Sequence, residues 1–289
     1  MSDRVVSARN RELGMGLRRL RVRADMPANE LARKLGWSPS KLSRVESGDR
    51  GVGPVDVALY ASRLDASPKE IARLLQLAQQ PDNLYQLREN QPDDVWPQGP
   101  IESLVVHEST ADSIESYDPL LVPGLLETAD YMREIFATGP LPENRIELYV
   151  QARIGRQDLL RRPNPPRLTF YIHEQVFRSI VGSTRLMHEQ LLHVLLSTAR
   201  SEFTVRVVPT TALPYGAFDG PFRLMEYEAY SPVAYAQSHA ACLFLEDELH
   251  VGIYRKLLAT LNKIAMSEPA SREWIAKLAS EYEGHRPDA

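Results

Sequence analysis

The sequence predicts an all-α domain of five short helices followed by a larger α+β domain with a mixed or antiparallel sheet. Three observations carry this reading. As far as Ala78, apolar residues recur at helical spacing and are broken only by short turns. A proline-dense stretch then removes backbone donors at Pro81, Pro92, Pro97 and Pro100. Beyond it, short alternating or apolar runs interleave with helical patterns. The boundaries fall at 1–80, a linker at 81–100, and 101–289.

In the first domain, Leu13, Leu17, Leu20 and Ala24 form one stripe of a helix over 9–24, and Arg18, Arg19, Arg21 and Arg23 project elsewhere. Any one of these arginines is adequately explained as part of a solvated face. Leu31, Ala32 and Leu35 make the apolar face of a second helix, which Gly36 can end in the left-handed conformation. Ser38 can cap a third helix with Pro39 at its first position. A step of 100° per residue places Leu42 and Val45 on one side of that helix and Ser40, Ser43, Arg44 and Ser47 on the other. Small hydroxyls and one arginine suit base edges in a major groove. The base-edge candidates are Ser38, Ser40, Ser43 and Arg44; Arg33 and Lys41 are placed for phosphates. Val57, Ala58, Ala61 and Leu64 mark a fourth helix, and Ser67-Pro68 opens a fifth carrying Ile71, Leu74, Leu75 and Ala78.

Within the linker, residues 83–90 read as a helical extension. In the second domain, Ser103–His107 and Ile114–Tyr117 read as strands, as do Leu168–Ile172, Phe203–Val208, Phe222–Tyr227, Val233–Gln237 and Cys242–Leu245. Helices are expected after Thr128, over 142–161, from Glu174 towards Gly182, over Met187–Ala199, and at 247–266 and 271–283.

The composition is that of ordinary globular protein, with 43% hydrophobic and 25% charged residues among 289. No apolar run approaches the ~20 residues of a membrane helix. Met1-Ser2-Asp3-Arg4 begins no signal core, and the one cysteine, Cys242, excludes an internal disulfide and a multi-cysteine zinc site. A cytoplasmic protein with no membrane partner is expected. Charge is divided unevenly. Residues 1–80 hold 15 Lys+Arg against 9 Asp+Glu, a net of +6; the remainder holds 19 against 29, a net of −10. Only the first part is therefore suited to nucleic acid.

The run Glu30-Leu31-Ala32…Leu35-Gly36 with Ser43-Arg44-Val45-Glu46-Ser47-Gly48 resembles the helix-turn-helix domain of the Cro/lambda-repressor (XRE) type, over about Leu13–Leu77. Where many members open the second helix with Ser-Gln, this chain has Pro27 and Ala28, so one cap and one phosphate contact are missing. Residues 101–280 resemble the C-terminal domain of actinomycete regulators, including WhiJ-like ones. The resemblance rests on Val122-Pro123-Gly124-Leu125-Leu126-Glu127-Thr128, Arg153-Ile154-Gly155-Arg156-Gln157, Val207-Val208-Pro209 and Gly220-Pro221-Phe222-Arg223-Leu224. A glutamate frequent in the family appears here as Gln237. The resemblance implies a homodimeric regulator, a repressor, that reads a double-stranded operator. It also implies a small protein partner encoded nearby, with a small-molecule effector equally compatible. An antitoxin-like interaction protein and an enzyme tethered to DNA are the alternatives.

The chemical motifs do not favour the enzyme. His188 and His193 stand at i and i+5, whereas zincins need i and i+4. His173 and Glu174 suggest acid–base work without a nucleophile or phosphate loop beside them, and Gly51-x-Gly53 lacks a third glycine. No catalytic residue, metal or cofactor is assigned. Arg153 and Arg156 on one helix face could bind an anion, though salt bridges explain them as well. With Val122, Pro123, Gly124 and Leu125 they form the partner or ligand candidate. Tyr117, Tyr131, Tyr149, Tyr171, Tyr227 and Tyr235 sit at core periods.

Overall fold

A computed structural model describes residues 6–80, 84–88, 98–212, 220–238 and 241–284. Two compact units divide the chain: Met1–Glu89, Pro97–Thr110 and Glu226–Val251 form one, and Asn90–Trp96, Ala111–Met225 and Gly252–Ala289 the other. The sequence boundaries follow chain order, whereas these units are assembled from separated segments.

The first unit begins with five helices: α1 (Ala8–Arg23), α2 (Ala28–Leu35), α3 (Pro39–Glu46), α4 (Pro54–Ser62) and α5 (Pro68–Gln79). Proline at the first position opens α3, α4 and α5, where its missing N–H costs nothing. Side-chain oxygens of Ser7 and Ser38 cap α1 and α3, and Ser67 with Glu70 forms a capping box on α5. At α2 the capping position is Pro27 and no side-chain cap forms, as the Pro27-Ala28 departure implies. Leu13, Leu17, Leu31, Leu42, Val45, Val57, Tyr60 and Leu77 make a closed core. Two close approaches are essential to it. A Cβ at Gly14 would lie 2.5 Å from the Val45 carbonyl oxygen, and one at Gly48 would lie 2.8 Å from the Arg11 Cα. Backbone therefore packs on backbone where α1 meets the end of α3.

Strand β1 (Leu84–Arg88) and helix α6 (Gln98–Thr110) complete the N-terminal part of this unit. Both correct the sequence reading. Residues 84–88 pair antiparallel with a strand at Ala241–Leu245, so strand pairing more than 150 residues away overrides the local helical pattern. Ser103–His107 lies inside α6, not in a strand. Ser103, Leu104, Val106 and His107 are all buried, and a short apolar run does not distinguish a buried helix from a strand.

The second unit holds β2 (Ser113–Asp118), α7 (Ala129–Thr138), α8 (Glu143–Gln157) continued by a 3₁₀ turn at Asp158–Arg161, β3 (Arg167–His173), α9 (Glu174–Arg178), α10 (Thr184–Ser197), β4 (Phe203–Val208) and β5 (Phe222–Glu226). β6 (Val233–Gln237) and β7 (Ala241–Leu245) belong to the first unit and pair antiparallel. The chain closes with α11 (Glu248–Ile264) and α12 (Glu268–Gly284). β2, β3 and β4 are parallel neighbours, and β5 lies beside β2. Parallel pairs need long crossovers, supplied here by α7–α8 and α9–α10. The α+β region thus mixes both kinds of strand pairing. Met132, Phe136, Leu141, Tyr149 and Val150 bind α7 to α8, and α12 packs on α10 and β4. The Ser271 hydroxyl accepts from the Val207 N–H at 3.0 Å. Among the described residues, no helix is long and apolar enough to cross a membrane.

Candidate nucleic-acid interface

The turn between α2 and α3 is set locally. Gly36 takes φ 67°, and the Trp37 N–H donates to the Ala32 carbonyl at 2.8 Å, closing α2. Ser38 then accepts from the Lys41 N–H at 3.1 Å and starts α3. The helix presents the two faces its sequence implies. Leu42 and Val45 are buried, and Ser40, Ser43, Arg44 and Ser47 are exposed.

What holds α3 in place is a charge on its apolar side. Glu46 is 7% exposed. It accepts from both Arg21 Nε at 2.7 Å and Arg21 Nη2 at 2.8 Å, and from the Tyr60 hydroxyl at 2.6 Å. Burial and the Glu46 carboxylate push the Tyr60 hydroxyl far up, so it remains a donor. The hydrogen bond to Glu46 raises Arg21 in turn. This triad was not singled out in the sequence. The available signal was an acid one helical turn beyond Leu42, on the stripe that should be apolar.

The candidate contact residues differ in how they are engaged. Ser38 is spent as a cap, though exposed. Arg44 reaches back to the Ser40 carbonyl at 3.4 Å. Ser47 bonds Asp49 at 2.6 Å. Lys41 pairs with Asp56 at 3.0 Å and lies 3.8 Å above the centre of the Trp37 ring. Arg33 is exposed and makes no salt bridge among the described residues.

A second polar network lies beneath α1. The Arg9 guanidinium donates to the Leu77 and Ala78 carbonyls at 3.2 Å each, closing α5, and the Glu246 carboxylate receives the Ala8 N–H at 2.7 Å. Glu12 is buried against Arg73 at 2.7 Å, the Ser103 hydroxyl at 2.6 Å and His107 Nε2 at 3.5 Å. Burial pushes the Glu12 carboxyl up, but His107, Arg73 and Ser103 together outweigh it and hold the group at about 2. Desolvation lowers His107 against the pull of Glu12, which keeps the imidazole neutral. None of these partners was legible in advance.

In the second unit, Val122, Pro123 and Leu125 are buried and Gly124 is half-buried. Their loop is tied by side chains standing in for backbone. Gln157 donates to the carbonyls of Gly124 at 3.0 Å and Glu127 at 2.8 Å. Gln190 donates to the Leu126 carbonyl at 2.6 Å and accepts from the Thr128 N–H at 2.7 Å. Thr128 then caps α7. Arg153 pairs with buried Glu127 at 2.5 Å and sits 4.7 Å from the Phe136 ring centre. Arg156 is buried beside Gly124, where a Cβ would meet its Nη1 at 3.2 Å. Nearby, burial raises the Asp118 carboxyl despite Arg223 at 3.7 Å. His173 caps α9, and Glu174 accepts from the Thr210 N–H at 2.9 Å and pairs with Arg178. His188 meets the Ala279 carbonyl at 2.7 Å. These histidines and Glu174 hold elements together.

Comparison with known families adds two matches. A helix-turn-helix domain family matches residues 12–74. A family described as Domain of unknown function (DUF5753) matches residues 101–277, more than half of the chain. No curated protein matches it.

Proposed function

Since the chain belongs to the DUF5753 family and carries a helix-turn-helix domain ahead of that domain, we propose that it is a sequence-specific, double-stranded-DNA-binding transcriptional regulator of the XRE, WhiJ-like kind, acting as a repressor. The observation that carries this is the exposed face of Ser40, Ser43, Arg44 and Ser47 on a helix anchored by Leu42, Val45 and the Glu46 triad. Arg44 and the serines read base edges, and Arg33, exposed and without a salt bridge among the described residues, meets phosphate. Lys41 joins it by exchanging Asp56 for a phosphate, both anions. A homodimer reads two half-sites in successive grooves about 34 Å apart. The acidic C-terminal region senses a small protein partner or an effector and catalyses no reaction.

The test is enrichment of a random double-stranded DNA pool on the full chain, followed by binding of the selected duplex. A shared two-fold-symmetric sequence, relaxed at one base pair per half-site by Arg44→Ala, is the expected result. Equal recovery of all sequences by a folded protein would refute sequence-specific reading.

A further inference from the structure

The helix that backs the recognition helix is gripped by residues far along the chain. Arg11 of α1 points its guanidinium between two rings. Its Cζ lies 4.0 Å from the centre of Tyr227 and 4.5 Å from the centre of Tyr230. These rings stand at 73° to each other with centres 6.2 Å apart. Arg11 Nη2 also lies 3.0 Å from His107 Nδ1. Guanidinium only donates, so Nδ1 must accept and the ring proton must sit on Nε2. That proton faces Glu12. Tyr227 adds a hydrogen bond from its hydroxyl to the His107 carbonyl at 3.2 Å, and Phe244 packs on the imidazole with centres 5.0 Å apart.

The backbone of the same residue touches the turn that ends the recognition helix. The Arg11 Cα and N are the atoms a Cβ on Gly48 would strike, at 2.8 Å and 2.9 Å. Three residues along, Gly14 meets the Val45 and Glu46 carbonyls in the same way. A displacement of α1 at Arg11 therefore has no slack to absorb it before α3 moves. Packed interiors transmit such shifts because they hold few voids.

We propose that Arg11 is a positioning residue for DNA reading: clamped by Tyr227, Tyr230 and His107, it sets the place of α3, so that segment 226–251 of the C-terminal region controls the recognition helix through α1. The inference rests on the DNA-binding reading only for its consequence; its mechanical part concerns α3 alone. Arg11 touches no base or phosphate in this scheme. The occupant sensed by the C-terminal region would act by loosening or tightening this clamp, and it can shift the balance only by binding the two states unequally.

Two matched pairs of variants in the full chain test it, read by amide hydrogen exchange over 39–48 without DNA. His107→Asn keeps an acceptor where Nδ1 stood, whereas His107→Gln keeps a donor towards Glu12 and loses the acceptor for Arg11. Tyr230→Phe keeps the ring, whereas Tyr230→Leu keeps only apolar bulk on a half-buried side chain. In the Asn and Phe variants α3 should exchange within about twofold of the parent. In the Gln and Leu variants it should exchange at least about tenfold faster, the cost of an ungripped buried donor in the first and of a lost cation–π face in the second, while α10 is unchanged. Affinity for the selected duplex should fall in the same two variants. Equal exchange of α3 in all four would overturn the clamp. So would equal acceleration of every helix of the first unit, which would mark a role in bulk stability alone. Faster exchange of α3 with unaltered duplex affinity would overturn the control of DNA reading. Should the parent chain bind no duplex, the DNA-binding reading falls while the exchange result still decides the clamp.

Discussion

Residues 36–48 and residues 122–128 use the same vocabulary of glycine, proline, leucine, an acid and a hydroxyl cap, and they do opposite things with it. In the first, the turn starts a helix whose polar side chains face outward and whose acid, Glu46, is turned inward to Arg21 and Tyr60. In the second, the apolar side chains are buried, the acid is paired with Arg153, and the carbonyls are tied by Gln157 and Gln190. A motif that reads a partner leaves donors and acceptors at the surface. One that serves as scaffold satisfies them within the fold. By that criterion the exposed face of 36–48 fits the proposed reading surface, and 122–128 fits a scaffold joint.

The comparison can be tested from both sides. The largest effect is expected from Glu46→Ala, which leaves the buried Tyr60 hydroxyl and the half-buried Arg21 guanidinium without their shared acceptor and should cost about 3–5 kcal/mol in urea unfolding. A loss below about 1 kcal/mol would mean that α3 is held by its apolar side chains alone. Next comes Gln190→Ala, which leaves the Leu126 carbonyl and the Thr128 N–H without their partner; about 2–3 kcal/mol is expected in the same assay. DNA affinity should be unaffected, and a parallel loss of binding would show that the joint also reads. Arg44→Ala reverses the pattern. Stability should change by less than about 0.5 kcal/mol, while discrimination at one base pair falls by about 1–3 kcal/mol.

Acid gives the smallest and most selective contrast. His107 sits below its ordinary 6.5 in the folded chain. As pH falls through 6.5 the unfolded chain takes up this proton first, so stability is full above that value and declines below it. Glu12, held at about 2 against an ordinary 4.5, adds a further loss between those two values. Gln157 and Gln190 do not titrate. The protection of α3 amides, relative to their intrinsic exchange rates at each pH, should therefore fall on mild acidification before that of Thr128 does. Simultaneous change at both would erase the distinction between the two regions.

The five helices and the α3 face were readable because each signal lies within a turn or two of its effect. Gly36 ends α2, Ser38-Pro39 starts α3, and Leu42 with Val45 orients it. The strand at 84–88 was not readable, because its partner at 241–245 decides its conformation. Ser103–His107 was ambiguous in principle: burial on every side erases the period that separates helix from strand. The networks on Glu12 and Glu46 were hidden for a different reason. A buried acid is stable only with its partners, and those of Glu12 stand 61 and 91 positions away at Arg73 and Ser103. What the sequence did contain was the anomaly itself, a charged or amide side chain on an apolar stripe: Glu46 after Leu42, and Gln190 between Met187 and Leu191. Such misplaced polar residues pointed to the polar anchors more directly than the motifs did.

The two glutamines also constrain the order in which the molecule can be made. Gln157 reaches back 30 and 33 positions, and Gln190 reaches back 62 and 64. Until α8 and α10 exist and have docked, the carbonyls of Gly124, Leu126 and Glu127 lack these partners and bond to water. On a ribosome the loop is synthesised long before the residue that completes it. It is thus a keystone rather than a seed: among the last backbone of the second unit to become protected in refolding, and a point where closure of distant contacts sets the pace.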